Sequence, residues 1–400
     1  MPKNISRRDF LKTLLRCGVL LYSTPLLGNI FGIKNAYGKI GETRGLKEAL
    51  FYRKIDDRTV QCLLCPRKCT LQEGARSFCR VRENVGGKLN TLVYELPCAV
   101  HVDPIEKKPI YHMLPGTLAF SIATAGCNLR CKFCQNWQIS QMTPEETDNV
   151  KLSCSAVISN AKKEKCLSIA YTYSEPTVFY EYMIETAALA KKEGIKNIFK
   201  TGGFINPEPL SDLCNYLDAA NVDLKGFDKK YLEDVCAEDL DVVLNGLRIY
   251  KKKGVWLEIT NLIVPTLNDD MKTIKNMSIW IKDNLGPETP LHFSRFWPTY
   301  KLKNLYPTPL ETLTEARDTA ISTGLKFVYI GNIPDHPANN TYCPSCQRLL
   351  IERKGYFLAQ NNIINSLCKY CSAKIAGVWE MPKTQIKPLL SRSAISTPIG

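Results

Sequence analysis

Three closely spaced cysteines are the first residues able to do chemistry. Gly126-Cys127-Asn128-Leu129-Arg130-Cys131-Lys132-Phe133-Cys134 places thiols with three and then two residues between them. On one short loop such a set can wrap a cubane iron–sulfur cluster and ligate three of its irons, because thiolates are the natural ligands of these clusters. The fourth iron then has no protein ligand. A closed structural zinc site wants four ligands, and this loop supplies three.

The chain holds 17 cysteines against 4 histidines, and two more groups stand out. Cys62, Cys65, Cys69 and Cys79 lie in a turn-rich segment with Pro66 and Gly74. Zinc and a second cluster both fit that spacing, and disulfides become an option if the chain is exported. Cys343-Pro344-Ser345-Cys346 and Cys368-Lys369-Tyr370-Cys371 form two knuckles. Their four thiolates suit a closed tetrahedral zinc site, which would stabilise a module too small to fold on an apolar core alone. An auxiliary iron–sulfur cluster is the sharper alternative there, and a nucleic-acid-binding ribbon another. Cys17, Cys98, Cys154, Cys166, Cys214 and Cys236 stand singly and read as buried small hydrophobes.

The elements that must position the triplet are legible between about 117 and 330. Runs rich in Val, Ile, Leu, Phe and Tyr predict strands at Leu118–Ala125, Leu167–Tyr173, Lys196–Thr201 and Asn221–Leu224, continued by Val255–Val264, Leu291–Phe296 and Leu325–Ile330. Thr177–Glu193 and Asp239–Lys253 are apolar at helical spacing and stop before Gly194 and Gly254. Repeated strand–helix alternation implies parallel strands with right-handed crossovers, hence an α/β barrel or open sheet. The triplet follows the first of these strands, at the end where barrels place catalysis.

At these residues the sequence resembles the radical S-adenosylmethionine (SAM) enzymes. More narrowly, it is similar to the radical SAM member of the AmmeMemoRadiSam set, related to pyruvate formate-lyase activating enzymes. The resemblance extends over nearly all of the chain after residue 38. It rests on the segment from Cys62 to Pro66, on Pro104–His112, on the triplet loop and on Ala170–Thr177. Asp223-Leu224-Lys225-Gly226, His292–Phe296 and the terminal knuckles complete it. It implies a partial (β/α)6 radical SAM barrel, a [4Fe-4S] cluster on Cys127, Cys131 and Cys134, and SAM chelated by the open iron. One electron from the reduced cluster would cleave SAM to a 5′-deoxyadenosyl radical, which removes hydrogen from a substrate; the cofactors carry that chemistry and the protein supplies position and exclusion of water. Phe133 would pack near adenine. Ser174, Glu175 and Pro176 stand where the family uses a Gly-Gly-Glu-Pro type of motif, without the double glycine. Thr201-Gly202-Gly203 would let backbone approach SAM, and Asp223, Lys225 and His292 match the polar residues near SAM and substrate. Asn261 and Arg295 are weaker candidates at strand ends. The implied partners are an electron donor such as a flavodoxin or ferredoxin, and Memo-type and AMMECR-type proteins; the substrate is unidentified. An activase making a glycyl radical on a partner protein is the alternative within the family. A non-enzymatic iron–sulfur or zinc protein for electron transfer or binding is the alternative outside it.

Composition narrows the rest. With 400 residues, 44% hydrophobic and 23% charged, the chain can bury a sizeable core and is not disordered. No apolar run is long enough for a multi-span membrane protein. Arg7-Arg8 before a mildly apolar stretch, with Ala36-Tyr37-Gly38 behind it, resembles a twin-arginine export signal. That expectation sends the protein to the periplasm or membrane surface if the signal is used, and leaves it cytoplasmic otherwise. Residues 1–38 carry six basic side chains against Asp9, yet the remainder of the +14 chain is still positive and favours anionic partners. No block of basic and aromatic residues marks a nucleic-acid groove. The expected organisation is a signal at 1–38, a Cys-rich segment at 39–115, the radical SAM core at 116–336, a zinc-ribbon-like module at 337–380 and an irregular tail at 381–400.

Overall fold

The computed structural model describes residues 44–380, so the expected signal and tail lie outside the described residues. Eight strands form the central sheet: β1 (Ala99–Pro104), β2 (Leu118–Ala123), β3 (Ser168–Tyr171), β4 (Lys196–Thr201), β5 (Ala219–Asp223), β6 (Trp256–Ile263), β7 (Leu291–Arg295) and β8 (Val328–Gly331). They pair in sequential order, with β2 to β8 parallel and β1 antiparallel at the edge. The connections carry helices α1 (Cys154–Lys163), α2 (Tyr180–Lys192), α3 (Pro207–Leu213), α4 (Leu240–Lys252), α5 (Met271–Leu285) and α6 (Leu310–Ser322). All seven strands expected from the sequence are present, most trimmed by one to three residues, and six strand–helix units are followed by a final strand. The edge strand β1 was not anticipated.

The helices start and stop for local reasons. Ser153, Asp239 and Asp270 cap α1, α4 and α5 by accepting from backbone N–H groups of the first turn. Gly194, just beyond α2, takes the left-handed conformation (φ +71°) that favours glycine. Among the described residues no helix is long and apolar enough to cross a membrane.

The amino ends of the strands are plugged. Ile105, Ile110, Met113 and Leu114 pack on Ala119, Ala170, Ile198 and Ala219, and the small strand residues leave room for the larger loop ones. Glu258 of β6, fully buried, polarises this floor. Its carboxylate accepts from the Tyr111 and His112 backbone N–H groups, from Trp256 Nε1 and from His292 Nε2 at 2.7–3.1 Å. The terminal module joins at the same place: Tyr329 of β8 and Tyr111 share one apolar cluster with Cys343, Leu350, Ile351 and Cys368. On the opposite flank, two small antiparallel sheets of residues 47–91 are held to α2 by a buried Arg82–Glu181 ion pair of 2.6 Å.

His112 is encased in this floor, donating from Nδ1 to the Ala376 carbonyl and accepting at Nε2 from the Tyr329 hydroxyl. Burial pushes its pKa down to about 4, and burial also lowers that of His292 against the pull of Glu258. A histidine depressed in the folded state stays neutral there while the unfolded chain takes up a proton, so stability falls as pH drops from about 6.5 toward 4. His112 alone is expected to remove about 2 kcal/mol between pH 7 and pH 5. Urea unfolding at the two pH values checks this; a midpoint that holds or rises at pH 5 would contradict it.

Candidate functional site

The carboxyl ends of β2 to β6 open on a cavity of about 450 Å3, and the triplet loop forms one wall of it. Cys127, Cys131 and Cys134 all line it. The loop is fixed from outside. Arg130 N–H donates to the Cys236 carbonyl and Lys132 N–H to the Val235 carbonyl, each at 2.9 Å, and Asn128 Nδ2 donates to the Phe204 carbonyl at 2.7 Å. Within the loop, Leu129 N–H donates to Cys127 Sγ at 3.3 Å, and the Ser140 hydroxyl lies 3.1 Å from Cys134 Sγ. Burial pushes the Cys127 and Cys134 thiols up, whereas a hydrogen bond with Cys236 holds Cys131 down despite burial.

Across the cavity, Glu175 joins the ends of β3 and β4. Its carboxylate accepts from Thr177 N–H at 3.1 Å, from the Thr177 and Thr201 hydroxyls at 2.7 Å and from Gly202 N–H at 2.8 Å. Space around Gly202 is tight: a Cβ there would lie 2.7 Å from Leu129 Cδ1 and 2.9 Å from Lys225 Nζ, the ends of two side chains that would have to move. Ser174 lines the same wall, and its buried hydroxyl has no partner within the protein. Such an orphan is what a polar ligand would satisfy.

Charge is concentrated at the ends of β4 and β5. Lys200 Nζ contacts Asn221 Oδ1 at 2.6 Å and also donates to Asp223, while Lys225 Nζ stands 3.6 Å from Asp223. Burial works against ionisation of Asp223, but the two lysines outweigh it and hold its pKa low. Burial likewise opposes the Lys225 charge, and Glu238 with Asp223 overrides it. Lys200 moves the other way, lowered because burial wins.

Of the residues expected at a site, Phe133, Ser174, Glu175, Thr201, Gly202, Asp223 and Lys225 line the cavity with the three cysteines. Pro176 and Gly203 flank it without lining it. His292 does not line it either. The structure places that ring in the floor, bonded to Glu258 and stacked on Tyr329 with centroids 5.0 Å apart. Asn261 is spent on the Leu224 carbonyl, and Arg295 on the Thr308 carbonyl and the Trp297 ring.

Among the residues at the site that escaped the sequence reading are Lys200, Tyr356, Glu238 and Cys236. Lys200 lines the cavity from β4, and Tyr356 reaches its mouth from a hairpin of the terminal module. Glu238 is buried with neither carboxylate oxygen bonded, its pKa pushed well up by burial beside Lys225 and Cys131. Cys236, read from sequence as inert, lies against Cys131. Only the loop after β5 brings these last two to the site, and no local spacing announces that.

The two outer quartets differ in geometry. In the terminal one, Cys343 and Cys371 Sγ are 3.6 Å apart and Cys346 and Cys368 Sγ 3.8 Å apart. Among the described residues, this is the one group of His, Cys, Asp or Glu whose ligand atoms all lie within 4.8 Å of one another. Four thiolates 2.3 Å from a single zinc form a tetrahedron with edges of about 3.8 Å, so the group fits one ion. Cys62, Cys65, Cys69 and Cys79 instead line a cavity of their own together with Asn128 of the triplet loop. No disulfide joins any two cysteines among the described residues.

Comparison with known proteins bears on the site. Residues 121–277 match the model of the radical SAM superfamily. An uncharacterized protein of Methanocaldococcus jannaschii is 46% identical over 335 residues, 82% of this chain and 99% of its own. The pyruvate formate-lyase-activating enzyme of Staphylococcus epidermidis is 23% identical over 235 residues, 55% of this chain and 92% of its own. A solved domain of the pyruvate-formate lyase-activating enzyme from Bacteroides vulgatus is 18% identical, covering 41% of this chain and 99% of its own with a TM-score of 0.36.

The close approach at Gly202 yields a direct expectation. Gly202→Ala must displace Lys225 or Leu129 and is expected to cost about 1–3 kcal/mol through overpacking. Denaturant unfolding measures it, and an unchanged midpoint would show that the three elements are less tightly joined than their contacts imply.

Proposed function

The chain belongs to the radical SAM superfamily, and from that premise we propose that it is a radical SAM enzyme acting on a substrate still to be identified. The reading assigns a [4Fe-4S] cluster to Cys127, Cys131 and Cys134. When bound, the cluster and SAM supply one-electron cleavage of the sulfonium and a radical able to remove hydrogen from substrate. One observation carries the proposal: three thiols of one loop and the polar ends of β3, β4 and β5 face a single cavity. The thiols suit a cubane with one iron left open. A fourth cysteine is close by, but Cys236 stands against Cys131 itself. A thiol that near one ligand is badly placed to reach a different iron of the same cubane.

The protein's own residues bind and orient. The orphaned Ser174 hydroxyl and the Gly202 backbone offer polar contacts to the amino-acid part of SAM, and Glu175 fixes that wall. Phe133 offers an apolar face for adenine. Lys200 and Lys225 keep Asp223 ionised, so the far wall presents fixed charge to an entering polar group. His292 acts here as a positioning residue of the floor. We read the sequential sheet as a partial (β/α)6 barrel whose last strand carries a zinc-bearing module. Within the superfamily we favour the AmmeMemoRadiSam reading, with Memo-type and AMMECR-type partners and a flavodoxin- or ferredoxin-like electron donor, because the sequence carries both outer cysteine quartets. Export by the twin-arginine route belongs to the same proposal; an intact Met1 on cytosolic protein would defeat it.

Anaerobically reconstituted, reduced protein is expected to form 5′-deoxyadenosine from SAM, and Cys131→Ala to fall to the level of a protein-free control. Stimulation by the small-molecule fraction of an extract would identify a metabolite enzyme. Stimulation by the protein fraction alone would point to an activase or another modifier of macromolecules. No cleavage under any condition, with the cluster demonstrably present, would leave a non-enzymatic iron–sulfur protein as the better reading.

A further inference from the structure

We propose that Cys62, Cys65, Cys69 and Cys79 hold a second iron–sulfur cluster rather than a zinc ion. Three cysteine groups in one chain allow an internal comparison. The terminal quartet has already closed to the spacing of a single tetrahedral ion, with sulfurs 3.6 and 3.8 Å apart. The triplet has not: its sulfurs belong to no set lying within 4.8 Å. That is expected of a cubane site, where irons and sulfides stand between the thiolates and hold them apart. The first quartet behaves like the triplet. Its four side chains surround one common cavity, as ligands of one centre must, yet they too belong to no set within 4.8 Å. A shared cavity without close convergence fits a cluster and not a lone ion.

The surroundings suit an anionic centre. Arg82 Nη1 lies 3.9 Å from Cys62 Sγ, and the guanidinium of Arg67 lines the same cavity. Phe78 N–H donates to Cys69 Sγ at 3.4 Å, and the Ser77 hydroxyl lies 3.0 Å from Cys79 Sγ. Hydrogen bonds and nearby cations at cluster sulfurs stabilise the reduced, more negative state.

The site also abuts the triplet loop. Asn128 lines the quartet's cavity, and Arg67 Nε donates to its carbonyl at 3.1 Å. A Cβ on Gly126 would lie 2.7 Å from the Cys79 carbonyl oxygen, so the two cysteine segments touch through backbone. The two centres therefore sit on either side of one short stretch of chain.

The test counts metals in the full-length protein after anaerobic reconstitution, and needs no activity. About eight irons with matching sulfide and one zinc per chain are expected. A triple variant, Cys127→Ala, Cys131→Ala and Cys134→Ala, should fall to half the iron, keep its zinc, and retain a reduced-cluster resonance unaffected by SAM. Cys62→Ala with Cys65→Ala should halve the iron while keeping the SAM-sensitive resonance. If that double variant fails to fold, the triple variant still decides. Iron absent from the triple variant, with two zincs or a disulfide between the four thiols, would overturn the proposal. Because the triple variant lacks the SAM-site cysteines, its result stands apart from the fate of the proposed enzymatic reading.

Discussion

The carboxylate of Glu258 is the contact on which the arrangement turns. A buried charge survives only when its surroundings replace water, and here four donors do so. Two are backbone N–H groups of the loop that plugs the sheet, one is the indole of the same strand, and one is His292 on the neighbouring strand. Burial opposes the ionised form, but His292 and the other partners outweigh it and the pKa stays low. The bonds come from three different segments, so the carboxylate fixes their mutual register in a way that apolar packing alone would leave looser. His112, whose backbone it holds, passes that order to the terminal module through Ala376 and Tyr329. Arg353 of that module returns to the same spot, donating to the Tyr111 carbonyl at 3.0 Å and covering the Tyr111 ring.

A rigid floor allows the other end of the sheet to be specialised. The strand ends there carry groups that would be costly without partners: Glu175, Lys200, Asp223, Lys225 and Glu238. Glu175, Lys200 and Asp223 are bonded across strand ends and Lys225 is paired with Asp223 at the end of β5, so the wall is held by polar links as well as by packing. Glu238 is the exception, buried beside Lys225 with its oxygens unbonded and its pKa pushed up by burial. A wall built this way keeps its charges fixed before any ligand arrives, which is how a site avoids reorganising around a developing charge. The small residue at 202 is the geometric condition for it, since the cysteine loop, β4 and Lys225 meet there.

What could be read from the sequence was what short spacing encodes. The three-thiol loop, the seven parallel strands and the glycines ending the helices follow from local pattern, and the structure keeps them with edges trimmed. Asp223, Lys225 and Glu175 are singled out by the family motifs they match and Gly202 by its glycine pair at a strand end, and the structure brings all four to one cavity. His292 matches the same family pattern, and the structure places it in the floor instead. It lies within β7 directly paired in register with Thr260 of β6, which does line the cavity, but its partner Glu258 is 34 residues away and nothing local marks that carboxylate as the floor's hub. Cys236, Glu238 and Tyr356 were invisible because tertiary contact alone brings them to the site. The antiparallel edge strand β1 also went unread: Val100 and Val102 do alternate with His101 and Asp103, but the run is short, closes on Pro104 and stands ahead of the strand–helix repeat.

Sulfur spacing offers a physical scale that sequence spacing lacks. Both outer quartets begin with a two-residue gap, and from the sequence each could hold zinc or a cluster. In space they separate, because the volume between ligands is set by what must fill it. One ion draws four sulfurs to contact with itself, whereas a cubane keeps them apart by its own size. The terminal quartet's knuckles are short backbone turns in which Cys343 and Cys368 accept N–H groups from residues two or three positions ahead, so the chain itself sets the sulfurs close. In the first quartet the long gap between Cys69 and Cys79 lets the chain pass around the cavity before returning. Asn128 and Thr177, both next to residues of the central cavity, fill the remaining wall. The N-terminal segment is thereby wrapped around a cavity of its own and braced on the loop that carries the triplet. A purely structural zinc knuckle would have no need of that second contact.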